Sequence, residues 1–171
     1  MSEANREARG VVLRAMDRAD LRAVHELEKA LFPEDAWSME LLGGELDDQP
    51  RTRHYVVAVE PGGEIVGYAG LAAAGGQADV QTIGVRADRR RSGVGALLLT
   101  ELLDEAARRD SEAVFLEVRA DNDPARRLYR RFGFAEVGVR KRYYQPSNVD
   151  AVVMCRQLRE RPPMGFNKEA L

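Results

Sequence analysis

The stretch from Ala78 to Ala96, ADVQTIGVRADRRRSGVGA, constrains this chain more than any other. Val80 to Val85 is a short, β-branched run that reads as a strand. It ends in a basic loop, Arg86 to Arg91, after which Ser92, Gly93, Val94 and Gly95 open an apolar-periodic helix. The first N–H groups of a helix have no intrahelical partner, and the macrodipole adds partial positive charge there. Small residues at such a place let a phosphate approach the backbone. The same residues also fit a plain helix start behind a solvated basic loop. Two phosphate motifs are excluded. No lysine follows the glycines as a Walker loop requires, and Leu98 stands where a dinucleotide fingerprint needs its third glycine.

The flanking sequence supplies the rest of a sheet. Val11 to Ala15 gives a first strand, and Asp20 is expected to cap a helix carrying Leu21, Val24, Leu27 and Leu31 at helical spacing. Phe32 and Pro33 close that helix. Ser38 caps a second one through Leu46, weakened by Gly43 and Gly44. Tyr55 to Val59 and Ile65 to Ala73 flank a hairpin turn at Pro61 to Gly63, and Gly75 to Gln77 turns the chain into the Val80 strand. A helix from Gly93 to about Arg109 leads to a strand at Ala113 to Val118. Asp123 then caps a short helix with Pro124 in its first turn, and Gly133 stops it as a left-handed cap. Phe134 to Tyr144 and Ala151 to Leu158 form a last antiparallel pair. The helical crossover makes the Val80 and Ala113 strands parallel neighbours. The expected fold is α+β, with helices flanking a mixed, mostly antiparallel sheet of about seven strands and one parallel junction. One domain is expected over residues 11–158, with loose tails at 1–10 and 159–171.

Composition narrows the function. A net charge of −2 over 171 residues gives no global attraction to nucleic acid, so the arginines after Val85 are a local patch. Cys155 is the one cysteine, which rules out an internal disulfide and a cysteine metal cluster. His25 and His54 show no ligand spacing, and no metal is expected. Met1 to Gly10 is polar, no run approaches the length of a membrane span, and a cytoplasmic location with no membrane partner is the expectation.

Four groups of residues can carry chemistry. Glu117 interrupts the apolar strand Val114 to Val118, on the face of Phe115 and Arg119. It reads either as a partner of Arg119 or as a partly desolvated general base. Tyr129 lies beside the stripe of Leu128 and Phe132, as a core residue or as a proton donor. Asn122 precedes the helix cap and fits ordinary turn chemistry. Trp37, Tyr143 and Tyr144 form either an aromatic substrate rim or sheet-end packing.

These pieces, taken together, resemble the GNAT superfamily of N-acetyltransferases. Arg90, Gly93 and Gly95 are similar to its R-x-x-G-x-G/A loop. Phe32-Pro33 through Trp37-Ser38, Ala78 to Ile83, Leu116 to Arg119, Asn122, Leu128-Tyr129-x-x-Phe132-Gly133-Phe134 and Arg142 to Tyr144 resemble its ribosomal-protein alanine N-acetyltransferase (RimI) branch, in the same order. The resemblance spans about Val11 to Leu158 and implies acetyl-CoA as donor and a protein N-terminal amine, such as that of a ribosomal protein, as acceptor. It further implies a fourth strand splayed from the fifth, with the pantetheine arm on Ile83, Gly84 and Val85. Arg91, Ser92, Gly93, Val94, Gly95 and Ala96 then receive the pyrophosphate with Arg90 alongside, and Asn122 is a second contact to the arm. Glu117 matches the proton acceptor and Tyr129 the proton donor. Arg91 stands where glycine is usual, and Gly84 where alanine is common. Acetylation of lysine or of a small amine is the alternative within enzymes, and a basic-patch binding module the alternative outside them.

Overall fold

The computed structural model describes residues 10–159. The expected tails therefore lie, apart from Gly10 and Arg159, outside the described residues. The elements are β1 (Val12–Ala15), α1 (Leu21–Leu31), α2 (Met39–Asp47), β2 (Arg53–Val59), β3 (Ile65–Ala74), β4 (Gln77–Val85), α3 (Val94–Arg108), β5 (Ala113–Arg119), α4 (Asp123–Arg131), β6 (Ala135–Tyr144) and β7 (Val149–Gln157). The strands form one sheet in the order β1-β2-β3-β4-β5-β7-β6. Every neighbouring pair is antiparallel except β4 and β5, as the helical crossover through α3 requires.

Alternation along the strands splits the core into two layers. Val56, Ala58, Val66 and Ala69 pack with Leu98, Leu99 and Leu102 of α3 and with Tyr129 of α4. The residues between them, Tyr55, Val57 and Tyr68, pack with Leu21 and Val24 of α1 and Leu42 of α2. The sheet is thus covered by helices on both faces.

Local signals account for most element boundaries. Ser38 Oγ accepts from Leu41 N at 3.1 Å and starts α2. Gly75 and Gly76, both with positive φ, form the two-residue turn between β3 and β4, a type of turn whose twist matches the strands it joins. Two caps differ from the sequence reading. Asp20 does not cap α1. Asp17 caps a 3-10 turn at Arg18–Asp20 in a reciprocal box, while buried Asp20 takes two bonds from Arg14 at 2.7 and 2.8 Å. At α4 the capping side chain is Asn122, whose Oδ1 accepts from Ala125 N at 3.3 Å, rather than Asp123. At α4 the true cap is the residue next to the expected one, since Asn and Asp satisfy the same preference, whereas Asp20 stands at the start of α1 with its carboxylate turned to Arg14 and the Asp17 backbone.

The decisive irregularity lies in β4. Gly70 of β3 pairs with Thr82, but the next residue, Leu71, pairs with Val80, so Gln81 is an extra residue in β4. A bulge of this kind bends its strand and increases the local twist. It places Gln81 and Thr82 toward the same layer. Gln81 Oε1 accepts from Tyr55 Oη at 2.6 Å, and Thr82 Oγ1 donates to Glu28 Oε1 at 2.7 Å. On its other side β4 pairs with β5 only from Gln77↔Ala113 to Val80↔Leu116. Beyond the bulge the two parallel strands part, and the edge of β4 through Val85 is left without a strand partner.

Two backbone positions in this region answer to geometry. Tyr68 lies opposite Gly84, and a Cβ on Gly84 would stand 2.7 Å from the Tyr68 ring. Glycine at 84, where the resemblance led us to expect alanine, is the space that Tyr68 occupies. Arg91 sits at φ 61°, a left-handed conformation that costs a non-glycine residue about 1–2 kcal/mol. We expect Gly84→Ala to lower stability by about 1–3 kcal/mol in urea denaturation, because Tyr68 has no room to yield. Arg91→Gly should instead raise the denaturation midpoint slightly. A lowered midpoint would mean that the arginine side chain stabilises the loop by more than its backbone strain costs.

Candidate active site

The cleft opened by the parting strands has three walls. Val80, Gln81, Thr82 and Ile83 of β4 form one, and Leu116, Glu117, Val118 and Arg119 of β5 form the second. Glu28, Phe32, Asp35 and Trp37 from α1 and its following loop, with Asn122, Ala125, Tyr129 and Tyr144, close the remainder. The structure therefore brings Glu117, Tyr129, Asn122, Trp37, Tyr144 and Ile83 to one cavity. Tyr143 does not line it. This residue is exposed beside Tyr144, with the two rings edge to face and centroids 5.2 Å apart.

Glu117 occupies the β5 wall, about a quarter exposed. Its partner is Arg140 of β6, with Nε 2.8 Å from Oε1, and not Arg119. Arg119 turns instead to Asp35 and Asp121. Of the readings open for Glu117, the pair with Arg119 does not form, because the arginine fork is better matched by carboxylates on the loops beyond the strand end. Arg140 is 60 % exposed and lies over the Tyr143 ring at 5.6 Å, so its contact with Glu117 is one that solvent can replace. The Glu117 charge is the main cause of a raised Tyr143 pKa. Burial, with Glu117 adding to it, pushes Tyr144 up to about 12.

Tyr129 is buried in the core, edge to face with Phe134 at 5.9 Å, yet it borders the cleft. Burial raises its pKa well above that of a free phenol. Among the described residues nothing hydrogen-bonds its hydroxyl, which keeps that proton available. Asn122 borders the same cavity, with its Oδ1 taken by the α4 cap.

At the outer end of β4 the chain passes through a 3-10 turn at Ala87–Arg89 into Gly93, whose φ of 89° begins α3. No side chain caps α3, so its first N–H groups remain open to a ligand. A Cβ added at Gly95 would meet Leu128 of α4 at 3.5 Å and Val85 of β4 at 3.7 Å, which places the helix start close to the strand end. The basic loop is less uniform than its sequence. Arg86 pairs with Glu64 at 3.0 Å and Asp88 at 2.6 Å, and Arg89 pairs with Glu60. Among the described residues, Arg90 and Arg91 have no carboxylate partner. Two uncompensated guanidiniums beside an uncapped helix start favour a compact anion over an extended basic surface.

Sequence reasoning missed Glu28. It is 1 % exposed, with Oε1 accepting from Thr82 and Oε2 from Trp37 N at 3.1 Å. Those bonds offset the cost of burying the carboxylate and fasten both the loop after α1 and the bulged strand to one side chain. The signal was present, since Glu28 continues the buried stripe Leu21, Val24 at helical spacing. A second group, His54, Glu101 and Glu105, has potential ligand atoms within 4.8 Å of one another. Arg108 and Arg109 pair with its carboxylates, which gives it the character of an ion-pair cluster.

The open edge of β4, the uncapped start of α3 and the cleft between them leave room for an extended ligand with an anionic end. The Acetyltransferase (GNAT) family profile matches residues 21–134. The N-alpha-acetyltransferase RimI of Mycobacterium tuberculosis is 43% identical over 151 residues, covering 85% of this chain and 92% of that protein. A putative ribosomal protein bS18-alanine N-acetyltransferase of Bacillus subtilis is 31% identical over 142 residues, covering 83% of this chain and 92% of that protein. The crystal structure of the ribosomal-protein-S18-alanine N-acetyltransferase from Escherichia coli superposes with a TM-score of 0.77 at 25% identity, covering 90% of this chain and 97% of that one. The chain belongs to the GNAT family of acetyltransferases and is of its RimI type.

Proposed function

We propose that this protein transfers an acetyl group from acetyl-CoA to the N-terminal α-amine of a protein, alanine being the expected terminal residue and a ribosomal protein the expected acceptor. The observation that carries this reading is the meeting of Glu117 and Tyr129 in one cleft, which runs along the unpaired edge of β4. The named activities of the M. tuberculosis and B. subtilis relatives support the same acceptor class. A ribosomal acceptor would place the reaction in the cytoplasm.

Acetyl-CoA, when bound, supplies the thioester whose carbonyl carbon the amine attacks. Backbone groups of Ile83, Gly84 and Val85 hold the pantetheine arm by strand-like pairing, with the Asn122 amide as a second contact. The N–H groups from Arg91 to Ala96 hold the diphosphate, and the Arg90 guanidinium lies alongside. Trp37 and Tyr144 line the path of the acceptor, with Tyr143 at its mouth.

The roles of the two ionisable groups follow from their surroundings. An α-amine has a pKa of about 7.7–8, against about 10.4 for a lysine side chain, so its deprotonation near neutral pH is much the easier. Glu117 takes that proton, directly or through one water, after the incoming ammonium replaces Arg140 as its partner. As the nitrogen–carbon bond forms, charge builds on the carbonyl oxygen, where a β4 N–H donates to it. The carbon–sulfur bond then breaks, the buried Tyr129 hydroxyl gives its proton to the departing thiolate, and the second amine proton leaves the new amide nitrogen to restore the phenol. Burial keeps Tyr129 in its protonated form, so a phenol rather than a phenolate meets the departing thiolate.

Glu117→Gln should lower kcat by about a hundredfold or more while the acetyl-CoA Kd stays within about twofold, a range typical for loss of a general base. Unchanged turnover between pH 6 and pH 9, roughly the span over which an α-amine titrates, would remove Glu117 from the role of base. Tyr129→Phe should slow transfer by a similar factor at unchanged stability, since it removes only the hydroxyl. Rates equal to the wild type would return Tyr129 to the core alone. A panel of peptides with a free α-amine, an acetylated α-amine and only a lysine amine decides the acceptor class. Acetylation confined to the free α-amine is expected, whereas modification of the lysine-only peptide would favour the lysine alternative.

A further inference from the structure

Arg119 ends β5 two residues beyond Glu117 and contacts neither Glu117 nor Tyr129. Its guanidinium instead gathers three separate loops. Nη1 lies 2.8 Å from Asp35 Oδ2 and 3.6 Å from Glu34 Oε2, both in the loop between α1 and α2. Nε and Nη2 take the two oxygens of Asp121, before α4, at 3.0 and 3.2 Å. Nη2 also reaches Ser147 Oγ at 3.4 Å in the β6–β7 turn, and Cζ stands 5.2 Å from the centroid of the Tyr144 ring. The side chain is 21% exposed, so these contacts are partly shielded from water.

We propose that Arg119 is the positioning residue of the acceptor site, holding the loop of Trp37 and the hairpin of Tyr144 at the spacing that admits a polypeptide. The inference rests on the acceptor reading above. Arg119, Asp35, Trp37 and Tyr144 border the same end of the cleft, so whatever fixes Arg119 fixes the width of the entrance. Without the guanidinium, Glu34, Asp35 and Asp121 would place three negative charges against one another and drive the loops apart. Lysine cannot replace it fully. An ammonium neutralises one carboxylate at a time and lacks the planar fork that binds Asp121 twice while facing the Tyr144 ring. The β4 edge and the start of α3 make none of these contacts, and Asn122, the one proposed cofactor contact next to Asp121, is fixed by its own bond from Ala125 N, so the cofactor end of the cleft does not rest on the Arg119 guanidinium.

The test compares a short alanine-initiated peptide with alaninamide, an acceptor too small to span the loops. In Arg119→Ala the KM for the peptide should rise by about tenfold or more, since ångström-scale misplacement of a substrate carries penalties of that size. Its kcat/KM for alaninamide and its acetyl-CoA Kd should stay within about twofold of wild type, because neither depends on the loops. Arg119→Lys should fall between the two proteins on the peptide, and it carries the comparison if the alanine variant loses its cooperative thermal transition. An unchanged peptide KM, or equal proportional losses on peptide and alaninamide, overturns the inference. A wild-type protein that leaves the free-amine peptide unmodified overturns the acceptor reading itself, and the inference with it.

Discussion

The extra residue at Gln81 is the constraint on which the site depends. A regular β4 would have continued its parallel pairing with β5, closing the sheet and leaving no room between Thr82 and Glu117. With the bulge, pairing stops at Val80↔Leu116 and the backbone beyond it bends away. The bend is held from the other layer, since Gln81 is bonded by Tyr55 and Thr82 is bonded to Glu28. Broken strand pairing ordinarily leaves backbone groups unsatisfied. Here the free edge is what a strand-like cofactor arm can pair with, so the local loss in the sheet and the proposed binding site are the same feature.

The surroundings distribute charge to match. Arg86 and Arg89 are consumed by Glu60, Glu64 and Asp88, which leaves Arg90 and Arg91 at the uncapped start of α3 for an anion. At the opposite end, Asp35, Glu117 and Glu28 give the acceptor side an acidic lining, with Arg119 and Arg140 as its counter-charges. In the proposed reaction a cationic amine and an anionic cosubstrate would thereby be drawn to different ends of one cleft. The left-handed backbone at Arg91 belongs to this scheme. It adds a guanidinium where a glycine would be easier, which is consistent with charge at that position being worth some backbone strain.

Much of this was legible in the sequence because local chemistry decided it. Ser38, Gly133 and the Gly75-Gly76 pair mark boundaries through caps and turns whose requirements depend on one or two residues. The seven strands and their parallel junction followed from hydrophobic alternation and a helical crossover. What escaped the sequence depends on partners distant along the chain. Nothing near Gln81 announces a bulge, which exists because Tyr55 and Glu28 stand across the layer. Strand spacing offered Arg119 as one possible partner for Glu117, but Arg140 arrives from β6, a neighbour that only the sheet order creates. Gly84 stands where alanine is common, and its reason is Tyr68 on the adjoining strand.

The central claim, that the parted edge of β4 and the start of α3 together hold the cofactor, is open to amide hydrogen exchange followed residue by residue. Adding acetyl-CoA should slow exchange in two segments, 81–85 and 92–96, while the β2–β3 hairpin and the outer strand β6 keep their rates. Protection confined to other regions, or none despite measurable acetyl transfer, would contradict the account.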